Sequence, residues 1–129
     1  MDVTELSDGD LATLAHALHE ARFARLYNDP AIWAAPFVVQ LHVDVLSEQW
    51  HRAGVDDPVS DMRIGKWLQW KSRSEHETVL SRVRGRSGWA QAMRKDPNTM
   101  REVLRPFVVD DESMEEFRAA AENGETPSD

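Results

Sequence analysis

Arg82, Arg84, Gly85, Arg86, Ser87, Gly88 and Trp89 form the stretch of this chain best supplied with chemistry. Guanidinium forks bind phosphate oxygens two at a time, and glycines let a ligand approach the backbone closely. A helix beginning near Ser87 would add free N–H groups and the positive end of its dipole. With the two cations further along, the candidate anion or nucleic-acid contacts are Arg82, Arg84, Arg86, Ser87, Gly88, Arg94 and Lys95. The run matches neither the Walker pattern nor the dinucleotide fingerprint, so an ordinary interhelical turn in an arginine-rich segment accounts for the same residues.

Other constellations say less. Asp44, Glu48 and His51 fall on one helical face and include a Glu-x-x-His pair, the ligand spacing of carboxylate metal bundles. No second helix offers the matching pair, so the strip reads as a solvated or ion-paired face. His16, His19 and Glu20 lack the His-Glu-x-x-His order of zinc proteases. His42 lies on the apolar side of its helix, where a buried, hydrogen-bonded core histidine is expected. The helices flanking Ser72, Arg73 and Ser74 have helix-turn-helix spacing, but Glu75 and Glu77 at the second start would repel DNA phosphates. There is no Gly-x-Ser-x-Gly elbow, and a chain without cysteine has neither thiol nucleophiles nor thiolate zinc sites. No catalytic residue, metal ligand or cofactor is therefore assigned.

The charge is unevenly divided. Residues 1–62 carry three basic and eleven acidic side chains, 63–105 carry eleven and four, and 106–129 carry one and eight. A net charge of −8 thus hides a basic middle third, which also holds Trp67, Trp70 and Trp89. Cations interleaved with flat rings suit polyanions and acidic protein surfaces alike. Alternatively the acidic flanks pair with the basic middle inside the fold, as scattered surface ion pairs worth ~0–1 kcal/mol each.

The elements that would hold these residues are helical almost throughout, because apolar residues recur at three and four and no alternating run is bounded by hairpin turns. The expected fold is all-α: a single compact helical bundle of five to seven helices over residues 1–122, with a short disordered tail at 123–129. The first helix is capped by Ser7 or Asp8 and runs to about Tyr27, with Leu11, Leu14, Ala15 and Leu18 inward. Arg22 and Arg25 fall on the same stripe, so they need buried partners or that end faces solvent. Pro30 and Pro36 each suit a first-turn position, giving a short turn then a long helix, or one kinked helix, ending before Gly54. On it, Val38, Val39, Leu41, His42, Val43, Val45, Leu46 and Trp50 cover more than half the circumference.

Further helices are expected at about 60–71, with Ile64, Trp67, Leu68 and Lys71 on one side, and from a Ser74/Glu77 capping box to Gly85. Others span Ser87–Lys95, a segment capped by Asp96 that carries Met100, Val103 and Leu104, and one from Asp110 or Asp111 that buries Met114 and Phe117. The acidic start and the absence of any apolar run near the ~20 residues a bilayer demands point away from export or membrane insertion, and the cysteine-free composition fits the cytoplasm.

These features favour a non-enzymatic interaction protein. Its first expected partner is another protein or a second copy, through the apolar face carrying Leu41, Val45 and Trp50, as in a homodimer. The alternative is nucleic acid or another polyanion on the basic segment 63–105. A metal-dependent enzyme is the third and weakest reading.

Overall fold

In the computed structural model, residues 2–24 and 29–123 are described, and the expectations for Arg25, Tyr27 and the tail beyond Asn123 lie outside them. The fold is all-α. Among the described residues there are eight α-helices: α1 Asp8–Phe23, α2 Pro30–Trp33, α3 Pro36–Arg52, α4 Met62–Leu68, α5 Glu75–Val83, α6 Ser87–Lys95, α7 Thr99–Val103 and α8 Asp111–Asn123. The count exceeds the expected five to seven because Asp29 and Pro30 nucleate a one-turn helix of their own. The Asp29 carboxylate accepts the Ala31 N–H at 2.9 Å, and Pro30 takes the first-turn position where a missing N–H costs nothing. Short 3₁₀ turns occupy Val3–Glu5, Pro58–Ser60 and Trp70–Ser72. Among the described residues no helix is long and apolar enough to cross a membrane. The chain divides into two compact units, Met1–Leu68 and Gln69–Asp129.

In the N-terminal unit the Ser7 hydroxyl caps α1 by accepting the Asp10 N–H at 3.1 Å, as the sequence suggested. The helix stops at Phe23, with Ala24 extended, short of the expected Tyr27. Antiparallel α1 and α3 bury Leu11, Leu18 and Val45 together, with Val3, Leu6, Leu14, Ala15, Val38 and Leu41 packed around them. One end of this pair is tied by Arg52, which donates to Asp8, to Glu48 and to the Thr4 carbonyl. The other end is tied by Arg22 and His42. Gly54 closes α3 at φ +78°, the left-handed position that favours glycine.

The helix expected over 60–71 is interrupted. It begins at Met62, where Asp61 Oδ1 accepts the Arg63 and Ile64 N–H groups, and ends at Leu68. Trp70 then gives its N–H to the Val108 carbonyl at 3.0 Å, and that non-local bond replaces the helical one. Trp70 is fully buried, while Trp67, expected on the same side as Leu68, is 37% exposed where Leu68 is buried.

The C-terminal unit wraps α5, α6 and α7 around α8. Its core holds Trp70, Val79, Val83, Met93, Met100, Leu104, Phe107, Phe117 and Ala121. The capping box is a boundary rightly placed for the wrong reason. α5 starts at Glu75, but Ser74 is already in the right-handed helical region and its hydroxyl makes no cap bond. Similarly Asp96 accepts the Asn98 N–H without capping α7, whose cap position is Asn98. In α8 the buried residues include Ser113, while Met114 is only half-buried. Asp110 bonds Ser113, which holds its carboxyl below the usual range.

A tight contact in the N-terminal unit gives a prediction. A Cβ at Gly65 would collide with the Val59 backbone carbonyl, which cannot swing aside as a side chain would. Gly65→Ala should therefore lower stability by about 1–3 kcal/mol, despite alanine's better helix propensity. Urea denaturation followed by circular dichroism reads the loss, and an unchanged midpoint would refute it.

Candidate functional site

The sequence offered two candidate surfaces, the Arg82–Lys95 segment and the apolar face of α3. Each lies within one unit, and neither is assembled as the sequence alone suggested.

At the first, α5 ends at Val83 and Gly85 turns the chain at φ +67°, its N–H donated to the Ala120 carbonyl of α8 at 3.0 Å. α6 then starts at Ser87 with no side chain capping it, so the expected helix start is in place. Gly85, Arg86, Ser87, Gly88, Trp89 and Ala92 line a surface depression of about 550 Å³. Arg82 is not part of it: it is buried in the last turn of α5, and that burial lowers its pKa from the usual arginine value. Its spacing gave no warning, since Arg82 stands two residues from an exposed arginine in a run that looks uniformly basic. Arg94 and Lys95 lie at the far end of α6, about 10 Å along its axis from Ser87. Arg94 pairs with Glu122 at 3.2 Å. What the fold brings together is Arg84 and Arg86, both exposed, with Ser87, Gly88 and Trp89.

Most of the other arginines in this unit meet carboxylates. Arg73 pairs with Glu75 at 3.0 Å, Arg101 with Asp111 at 2.6 Å, and Arg118 with Glu122 at 2.7 Å and with Glu115. The Arg94–Glu122 and Arg101–Asp111 pairs thus bring carboxylates of α8 to cations of the basic segment, while Arg118 lies on α8 itself. The acidic third visible in the sequence is folded onto part of the basic third, and among the described residues Arg84 and Arg86 form no ion pair.

At the second surface Val45 is fully buried in the core of its own unit, and Leu41 and Trp50 are half-buried. Val45 is therefore committed to internal packing rather than to a dimer face. The outward strip of α3 begins with Phe37, 74% exposed, and continues through Gln40 and Asp44. Sequence reasoning missed Phe37 because position 37 follows a proline inside an apolar run and looks like core. On the Asp44/Glu48/His51 strip the Glu48 carboxylate is ion-paired with Arg52 at 2.8 Å, Asp44 accepts from the Gln40 amide at 2.8 Å, and His51 is exposed. Among the described residues no group of three His, Asp or Glu side chains could hold a metal ion.

Two of the buried polar side chains among the described residues are histidines, His42 and His76. Arg22, fully buried, sets Nη1 2.8 Å from His42 Nδ1 and its Cζ 4.8 Å from the centre of the Phe23 ring. A guanidinium can only donate, so Nδ1 must be the acceptor and any ring proton sits on Nε2. His42 is the buried core histidine the sequence suggested, and Arg22 has the buried partner it required. Burial, then the Arg22 charge, then His19 hold the His42 pKa down at about 3. The His19 ring lies edge-on to His42 at 5.9 Å and contacts Trp67 at 6.4 Å. In the other unit the Trp70 indole N–H donates to His76 Nδ1 at 2.8 Å, and His76 Nε2 meets Glu116 at 2.9 Å. The same logic places the His76 proton on Nε2, with the carboxylate as acceptor.

No family model, curated protein or solved structure significantly matches the chain.

The burial of His42, reinforced by the Arg22 charge beside it, makes the stability of the protein depend on pH. His42 binds its proton near pH 6.5 in the unfolded chain and near pH 3 in the folded one, so between those values the unfolded state holds the extra proton. The contribution is fully present above about pH 6.5 and declines by about 1.4 kcal/mol per pH unit as pH falls below it. His42→Gln keeps an acceptor for Arg22 but cannot titrate there. Urea midpoints from pH 7 to 4 should fall less steeply in this variant than in the wild type, and parallel slopes would exclude the assignment.

Proposed function

We propose that the protein works through contact with another protein, made by its N-terminal unit, and not through catalysis. The observation that carries this reading is the set of large apolar side chains left in water there: Phe37 and Met62, the latter 91% exposed, with Ile32, Val59 and Trp67. Five of the six exposed large hydrophobics among the described residues belong to this unit. Leaving such groups solvated forgoes roughly 25 cal/mol per Å² of burial, and a partner that covers them recovers it. Self-association is one form of this contact. The two ordered histidines support a non-catalytic reading, since each uses Nδ1 to satisfy a donor that has no other chemistry to offer. A cytoplasmic setting is proposed on the cysteine-free composition.

The test compares wild type with Phe37→Glu, a change at an exposed position that should leave helicity and thermal midpoint nearly unaltered. Sedimentation velocity across a concentration series reports self-association. Cross-linking in a cell extract reports other partners. Adducts or dimers formed by the wild type and lost in the variant support the reading, and identical behaviour of the two proteins counts against it.

A second reading, polyanion binding by the Arg84–Trp89 turn, is favoured by the two exposed arginines beside the depression. If it holds, anisotropy of labelled single-stranded oligonucleotides should show binding that weakens strongly between about 50 and about 200 mM salt. Arg84→Glu with Arg86→Glu should abolish it while leaving helicity intact.

A further inference from the structure

Residues 29–51 contain no lysine or arginine. They build α2, the turn to α3 and all of α3 but its last residue. The outward side of this corner exposes Ile32 and Phe37, with half-buried Leu41 one turn beyond Phe37 and Asp44 two turns beyond. Phe37, Gln40, Leu41 and Asp44 follow the three- and four-residue spacing that aligns side chains along one helix face. Asp29, exposed at the N-cap of α2, stands at the other end of the corner. Asp29 accepts only a backbone N–H and Asp44 a neutral amide, so neither carboxylate is charge-neutralised by these contacts. Elsewhere in the unit, among the described residues, the cation of Arg22 is buried, that of Arg52 is taken up by Asp8 and Glu48, and Arg63 and Lys66 stand exposed on α4, a separate helix.

An apolar anchor flanked by uncompensated carboxylates discriminates among occupants. A second copy docked through the same face about a two-fold axis crossing its middle would bring Asp29 of one copy towards Asp44 of the other, carboxylate to carboxylate, with no cation in the segment to relieve them. A partner with apolar side chains flanked by lysines or arginines would cover Phe37 and Ile32 and neutralise both carboxylates at once. Resting on the protein-contact reading above, we infer that the α2–α3 corner receives a basic amphipathic segment of a different protein, and not a second copy of this chain docked through the same face.

The probe is a labelled helical peptide of leucines and lysines at heptad spacing, titrated against the full chain at about 50 and about 200 mM salt. A second peptide carries glutamate in place of every lysine. The expected result is binding of the lysine peptide alone, weakened by salt, and weakened about tenfold by Asp44→Lys and by Phe37→Ser, the roughly 1.4 kcal/mol of one lost anchor. Both substitutions sit at exposed positions, and circular dichroism confirms that they fold. Equal binding of the two peptides, or no effect of Asp44→Lys, would overturn the basic-partner inference while leaving the contact reading standing. Dimers abolished by Phe37→Ser, with neither peptide bound, would assign the corner to a second copy and overturn it as well. A monomer that binds neither peptide would overturn the basic-partner inference, and the contact reading would then be decided by the cross-linking in a cell extract.

Discussion

A buried guanidinium must be met by acceptors and apolar walls, because arginine does not surrender its proton at any accessible pH and its charge is costly to strip of water. In the N-terminal unit that constraint is met by His42 and the Phe23 ring, and the antiparallel pairing of α1 with α3 is organised around it. The acceptor has to stay neutral, and burial first and the Arg22 charge second depress the basicity of His42. At the opposite end Arg52 ties α3 to Asp8 and Thr4 in a more solvated setting. Between these two ties lies the dry packing of Leu11, Leu18 and Val45. With its inner face taken up in this way, α3 presents Phe37 and Asp44 outward.

The C-terminal unit uses the same device with a different donor. The Trp70 indole, buried against Phe107 and Phe117, needs an acceptor, and His76 supplies it while its other nitrogen reaches Glu116 on α8. This relay helps fix α8 against α5. Arg94 and Arg101 then pair with the carboxylates α8 brings along. The apparent polarity of the chain is thereby reduced, while Arg84 and Arg86 stay exposed at the turn whose Gly85 N–H bonds the Ala120 carbonyl of α8.

Helix identity and most boundaries were legible in the sequence, since they rest on local signals: the Ser7 cap, first-turn Pro30 and Pro36, Gly54 and Gly85 past helix ends, and Asp110 before α8. Where local signals misled, a longer-range or backbone effect prevailed. The helix expected over 60–71 broke because the Trp70 N–H found Val108, thirty-eight positions away. Ser74 marked the start of α5 but made no cap bond because its backbone had already turned helical. The candidate turn was half legible. Its glycines and helix start fell where expected, whereas the burial of Arg82 depended on which side of α5 faced α8.

By itself, then, the sequence determined the all-α class, the placement of most helices, the choice Arg22 faced between a buried partner and a solvent-facing end, and the burial of His42. These follow from periodicity, caps and the cost of desolvating polar groups, which act over a few residues. Only the tertiary structure decided that Arg22 and His42 answer each other, that Val45 is core while Phe37 is surface, and that α8 covers part of the basic third and leaves Arg84 and Arg86 exposed. A helical period says that two side chains share a face. Which face another helix covers is set by packing between segments far apart in the chain, and a single segment carries no record of it.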